Sequence, residues 1–91
     1  MVFFWEFETV SLMTTVKNNV ERLRLDANLS VYELSKRCGF ISATNHVSNM
    51  HVKRAEQGYQ VKIETALLIY RELKKTGVCA NFEDVFFLDD E

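Results

Sequence analysis

Ser30-Val31-Tyr32-Glu33-Leu34-Ser35-Lys36-Arg37-Cys38-Gly39 spells one short helix from its cap to its stop. The Ser30 hydroxyl stands three residues ahead of the Glu33 amide, and the Glu33 carboxylate reaches back to the Ser30 amide. That reciprocal pair satisfies two of the donors that a helix start leaves open. Gly39 has no Cβ to oppose the left-handed conformation that ends a helix. A helix over residues 31–38 is expected, with Leu34 on its inner stripe.

Outward from this segment, the chain has no Pro and only two other glycines, Gly58 and Gly77, each placed where an apolar pattern breaks. Ile63, Ala66, Leu67, Tyr70 and Leu73 recur at helical spacing. Arg71, Lys74 and Lys75 gather ahead of Gly77, where the helix dipole favours cations. Residues 40–57 are polar, yet Val47, Val52 and Ala55 keep a thin apolar stripe, which predicts a helix over 48–57 capped by Ser48. Upstream, Val16, Val20 and Leu23 follow Thr14 and Thr15 at i, i+4, i+7, predicting a first helix that ends near residues 26–28. Asn81-Phe82-Glu83-Asp84 reads as another cap, opening a short fifth helix through Val85 and Phe86. The expectation is an all-α, five-helix domain over residues 14–88 with Leu34, Val52 and Leu67 in its core. Residues 1–13 read as an extension outside that core, in which Phe3, Trp5 and Phe7 alternate with Phe4, Glu6 and Glu8 as a short extended segment would. Residues 89–91 read as an acidic tail.

Ninety-one residues with 47% hydrophobic content suffice for one core and not two. A net charge of −2 excludes a polycation that coats nucleic acid through bulk charge. The distribution is uneven: residues 9–82 hold all eleven Lys and Arg against six carboxylates, which leaves +5 there, and the other acids lie toward the ends. Such a chain can offer a basic face to phosphates. Cys38 and Cys79 form no CxxC pair and fit reduced, packed thiols of a cytoplasmic protein. The run Met1-Val2-Phe3-Phe4-Trp5-Glu6-Phe7 has no basic start and is too short to span a bilayer, so no membrane partner is expected.

Taken in order, Asn19-Val-Glu-Arg-Leu-Arg24, Leu29-Ser-Val-Tyr-Glu-Leu-Ser35, Val47-Ser48 with Val52 and Glu56-Gln-Gly58 resemble the Cro and lambda-repressor family of phage and bacterial regulators. Ile63-Glu-Thr-Ala-Leu-Leu-Ile-Tyr70 and Asn81-Phe-Glu-Asp-Val-Phe86 look like the fourth and fifth helices of that family, so the resemblance covers roughly residues 15–87. It implies a helix-turn-helix domain, a homodimer on duplex operator DNA, and a transcription-regulating, repressor-like role in a phage or mobile element. The departure is the seven-residue segment 40–46 before the recognition helix. Seven residues are close to two helical turns, so the segment either lengthens a helix or forms a long loop.

The resemblance places base contacts at Ser48, Asn49, His51 and Lys53, with Met50 in the same half of the recognition helix. Asn pairs with adenine, Lys with guanine, and Ser or His with phosphate or base. Phosphate contacts fall to Lys36, Arg37, Arg54, Gln57, Tyr59, Gln60 and Lys62. Were the helix to begin at Ser42, the reading residues would move to Ala43, Asn45 and His46. The alternative function is a protein-interaction module, an antirepressor or co-repressor that binds another helix-turn-helix regulator. Its partner surface would be Phe3, Trp5, Phe7, Phe86 and Phe87. His46 and His51 are five apart, off a common helical face, so no metal is expected. No nucleophile motif or phosphate-cradling loop points to an enzyme, a cofactor or a small-molecule substrate.

Overall fold

The computed structural model describes residues 15–89. Strand β1 (Thr15–Asn18) leads into four helices, α1 (Val20–Asp26), α2 (Val31–Cys38), α3 (Met50–Glu56) and α4 (Ile63–Lys75). A 3-10 turn (Phe82–Asp84) and strand β2 (Phe86–Asp89) follow. The strands pair antiparallel, with Thr15 opposite Asp89 and Asn18 opposite Phe86. Over the described residues the architecture is therefore α+β, four helices and a two-stranded sheet, and the five-helix all-α expectation is overturned at both ends of that span.

The reason at the N-terminal end lies in Asn18 and Asn19. Val16 belongs to β1 rather than to a helix. Asn18 Oδ1 accepts from the Val20 amide at 3.0 Å, which starts α1 four residues later than the apolar spacing suggests. The Asn18 Nδ2 donates to the Ala55 carbonyl at 2.8 Å and fastens this junction to α3. At the other end the cap at Asp84 is real, its carboxylate accepting from the Ala80 and Asn81 amides at 3.0 and 2.9 Å. It serves one 3-10 turn, after which the aromatic Phe86 and Phe87 extend and pair with β1. Asp89, read as tail, ends β2. The extension 1–13 and residues 90–91 lie outside the described residues.

α2 forms as its sequence dictates. The Glu33 amide donates to Ser30 Oγ at 3.0 Å, the Ser30 amide to Glu33 Oε1 at 2.8 Å, and Gly39 closes the helix at φ +84°. Leu34 and Val52 are fully buried, as expected. Leu67 is not: it is 49% exposed, and Ile63 with it. α4 carries two overlapping apolar stripes, and the one that packs is Ala66, Ile69 and Leu73, which takes Glu72 inside with it. Arg71 Nε at 2.8 Å and Lys75 Nζ at 3.2 Å meet the Glu72 carboxylate, so the buried charge does not forbid that face. An ion pair with both side chains largely buried, Arg24 with Glu56, joins α1 to the end of α3. No helix among the described residues is long and apolar enough to cross a membrane.

Candidate nucleic-acid interface

α2 and α3 pack against each other, and the segment that joins them decides where α3 points. Residues 41–47 form a small hairpin rather than extra helix. Ile41 bridges Val47 antiparallel, and the Ser42 amide donates to the His46 carbonyl at 2.7 Å. Asn45 turns the tip at φ +67°, a left-handed conformation that Asn tolerates better than most residues. The Ser48 amide donates to the Phe40 carbonyl at 2.7 Å, so the excursion closes where it opened. Phe40 is buried at its base, and its ring lies 4.7 Å from the His51 ring.

α3 starts at Met50, two residues later than its apolar stripe predicts. Ser48 does not cap it, since Asn49 holds that position and makes no side-chain cap bond. Val52 and Ala55 face the core, and the opposite face presents Met50, Lys53, Arg54 and Gln57 at i, i+3, i+4, i+7. Among the expected base readers, Lys53 is exposed. Ser48 and His51 are half-buried, His51 against Phe40. Asn49 is half-buried too, its Oδ1 enclosed and without a hydrogen-bond partner. Met50, 49% exposed, lies on the outer face that Asn49 does not fully reach.

The expected phosphate contacts are all exposed: Lys36 and Arg37 at the end of α2, Arg54 and Gln57 on α3, and Tyr59, Gln60 and Lys62 after Gly58. The Arg54 guanidinium sits 5.1 Å from the centre of the Tyr59 ring, which fixes its direction by a cation–π contact. Four of the cations elsewhere are held differently, and Lys74 lies 5.7 Å from the centre of the Tyr70 ring. Arg22, Arg24, Arg71 and Lys75 are each in an ion pair. Among the described residues no carboxylate lies within ion-pair distance of Lys36, Arg37, Lys53, Arg54 or Lys62. Arg37 does act on Glu33, whose carboxyl is held below the usual range chiefly by the Ser30 backbone and side-chain hydrogen bonds and further by Arg37.

Other chemistry is sparse. Burial, with Glu72 adding, pushes the Cys38 thiol up to about 12, so it stays protonated, and burial raises Cys79 as well. Among the described residues no group of three His, Cys, Asp or Glu stands together to hold a metal. Of the alternative partner surface, Phe86 is buried and stacked 5.5 Å from Phe82, so it cannot offer its ring to a partner. Phe87 is half-buried. Phe3, Trp5 and Phe7 lie outside the described residues. An apolar groove of about 910 Å³ does open beside the sheet, lined by Val16, Tyr59, Ile63, Phe87 and Leu88 among others, a feature that no local sequence pattern announces. Comparison with known proteins adds no relative: no family model matches the chain, and neither a curated protein nor a solved structure does.

Proposed function

We propose that this chain is a sequence-specific DNA-binding regulator of transcription, Cro- or repressor-like, that binds duplex operator DNA as a homodimer and acts in the cytoplasm without catalysis or cofactor. The observation that carries the reading is the set Lys36, Arg37, Lys53, Arg54 and Lys62. These exposed cations make no ion pair among the described residues and lie on a packed helix pair and the loop that follows it, while Arg22, Arg24, Arg71 and Lys75 are each ion-paired. Leaving charges unpaired gains a fold nothing, whereas phosphates supply the missing partner. α3 enters the major groove with Met50 and Lys53 toward base edges, and Lys36, Arg37, Arg54, Gln57, Tyr59, Gln60 and Lys62 hold the flanking backbone.

The test is to select a duplex from a random-sequence pool with the purified protein and to measure its affinity by fluorescence anisotropy across salt. Four phosphate contacts, from Lys36, Arg37, Arg54 and Lys62, give a log–log salt slope of about −3.6 per protomer. Lys53→Ala should cost about 1–3 kcal/mol on the selected site and relax preference at one base. Absence of any selected sequence, or a flat salt response, refutes the reading. The second reading, a module that binds another regulator, is favoured by the apolar groove with its exposed Val16, Tyr59, Ile63 and Leu88. It predicts association that is insensitive to salt and lost on Ile63→Asp.

A further inference from the structure

Residues 34–55 run for twenty-two positions without a single Asp or Glu, in a chain that has thirteen. That stretch contains the end of α2, the hairpin and nearly all of α3. We propose that the tip of the hairpin, Ser42 to His46, is a second DNA-contacting element, one that grips a backbone phosphate at the edge of the groove that α3 occupies. The proposal rests on the DNA-binding reading above and adds to it a site on the segment that interrupts the helix pair.

Three observations support it. The tip is built: Ser42 Oγ lies 3.0 Å from Thr44 Oγ1, Thr44 Oγ1 lies 3.1 Å from His46 Nδ1, and the His46 amide donates to Ser42 Oγ at 3.3 Å. These contacts orient the imidazole, and with Thr44 Oγ1 donating to Nδ1 the ring carries its proton on Nε2, which then donates to a phosphate oxygen. The tip is also exposed throughout, from Ser42 to His46, and carries no carboxylate to repel an anion. Finally, the tip is tied to α3. His46 is four residues from Met50, so the tip lies no more than about 14 Å from the start of α3. The Phe40 ring at the hairpin base rests on His51 of α3, so the two elements hold a fixed relation. A major groove is about 12 Å wide, so the phosphates on its rim are within reach of an element that close to a helix inside it.

Ala43 gives a clean probe, being exposed in the tip with a side chain that none of the tip's bonds uses. Ala43→Lys adds a charge that engages one further phosphate and releases about 0.9 counterion. At about 0.1 M salt this corresponds to about eightfold tighter binding of the selected duplex, with a salt slope steeper by about 0.9. Ala43→Glu should weaken binding by a comparable factor. Ala80→Lys, exposed and outside the acid-free stretch, controls for net charge and should change neither quantity. Circular dichroism of each variant confirms that the fold is kept. If wild type binds the duplex and Arg54→Ala weakens it, while Ala43→Lys and Ala43→Glu both match wild type, the hairpin contact is refuted and the α3 reading stands. If wild type selects no duplex, both fall.

Discussion

Glu56→Ala tests the contact that aims α3. Arg24 and Glu56 meet through two bonds, Nε to Oε2 at 2.7 Å and Nη2 to Oε1 at 3.3 Å, with side chains only 10% and 11% exposed. Arg24 Nη1 also donates to the Leu29 carbonyl at 2.9 Å, so one guanidinium fastens α1, the turn before α2, and the end of α3. Removing the carboxylate leaves a buried guanidinium with a single acceptor. Stranding one member of a buried pair costs about 3–5 kcal/mol. The surviving Leu29 bond places this case near the lower value, about 3 kcal/mol, a large share of the 5–15 kcal/mol that holds an ordinary domain. With a urea m-value of about 1 kcal/mol/M, the unfolding midpoint followed by circular dichroism should fall by about 3 M. The paired replacement Arg24→Met with Glu56→Met removes both charges and keeps much of the volume, so it should recover most of that loss. A drop below about 1 kcal/mol for Glu56→Ala, or a double variant no more stable than the single, would refute the account of the pair as a buried, mutually dependent clamp.

Leu34→Ala, at a fully buried position, should cost about 2–5 kcal/mol, whereas Leu67→Ala, at a half-exposed one, should cost less than about 1 kcal/mol. Equal losses in urea melts would mean that α4 packs through its other stripe. Acidification should lower the melting temperature through the caps at Glu33 and Asp84. Both carboxyls are held below their ordinary range by backbone amides, so their contribution is complete above the unfolded carboxylate range and is lost as pH falls through the folded values. Glu33→Gln should flatten that acid limb, and an unchanged limb in the variant argues against the cap as its source.

Where the fold was legible in sequence, the signal was local. The Ser30–Glu33 box and Gly39 set α2 without reference to anything distant, and Leu34 and Val52 follow from the helix period alone. The errors share a cause. β1 and β2 lie at opposite ends of the described chain, so the pairing of Val16 with Leu88 leaves no trace within either segment, and the local pattern predicts helix at Val16 and at Phe86. In α4 the expected stripe Ile63–Ala66–Leu67–Tyr70–Leu73 straddles two faces; Ala66 and Leu73 pack with Ile69 while Ile63 and Leu67 stay exposed, and Glu72 argues against that face until Arg71 and Lys75 are seen to pair with it. The cations of the candidate interface were legible because exposure of Lys and Arg is the rule, while the inward turn of the Asn49 Oδ1 depended on packing.

The hairpin explains how a helix pair absorbs seven extra residues between its members. Added as helix, they would lengthen α3 by about 10 Å and push its first turn away from α2. Added as a hairpin, they leave and return at one hydrogen bond, from the Ser48 amide to the Phe40 carbonyl at 2.7 Å, so α2 and α3 meet as though the excursion were absent. The choice between the two is made by residues at its base and tip rather than by its length. Phe40, 7% exposed, is held in the core and against His51, and a helix continuing through it would have to surrender that burial. Asn45 accepts a positive φ, and the hydroxyls of Ser42 and Thr44 bond within the turn, which is how such residues compete against helix. Closure of a short loop at a fixed bond costs an entropy that grows only slowly with its length. The hairpin thus depends on Phe40, Ser42, Thr44 and Asn45, none of which excludes a carboxylate at Ile41, Ala43 or Val47, and the absence of any carboxylate from the segment is a property of its surface rather than a demand of the fold.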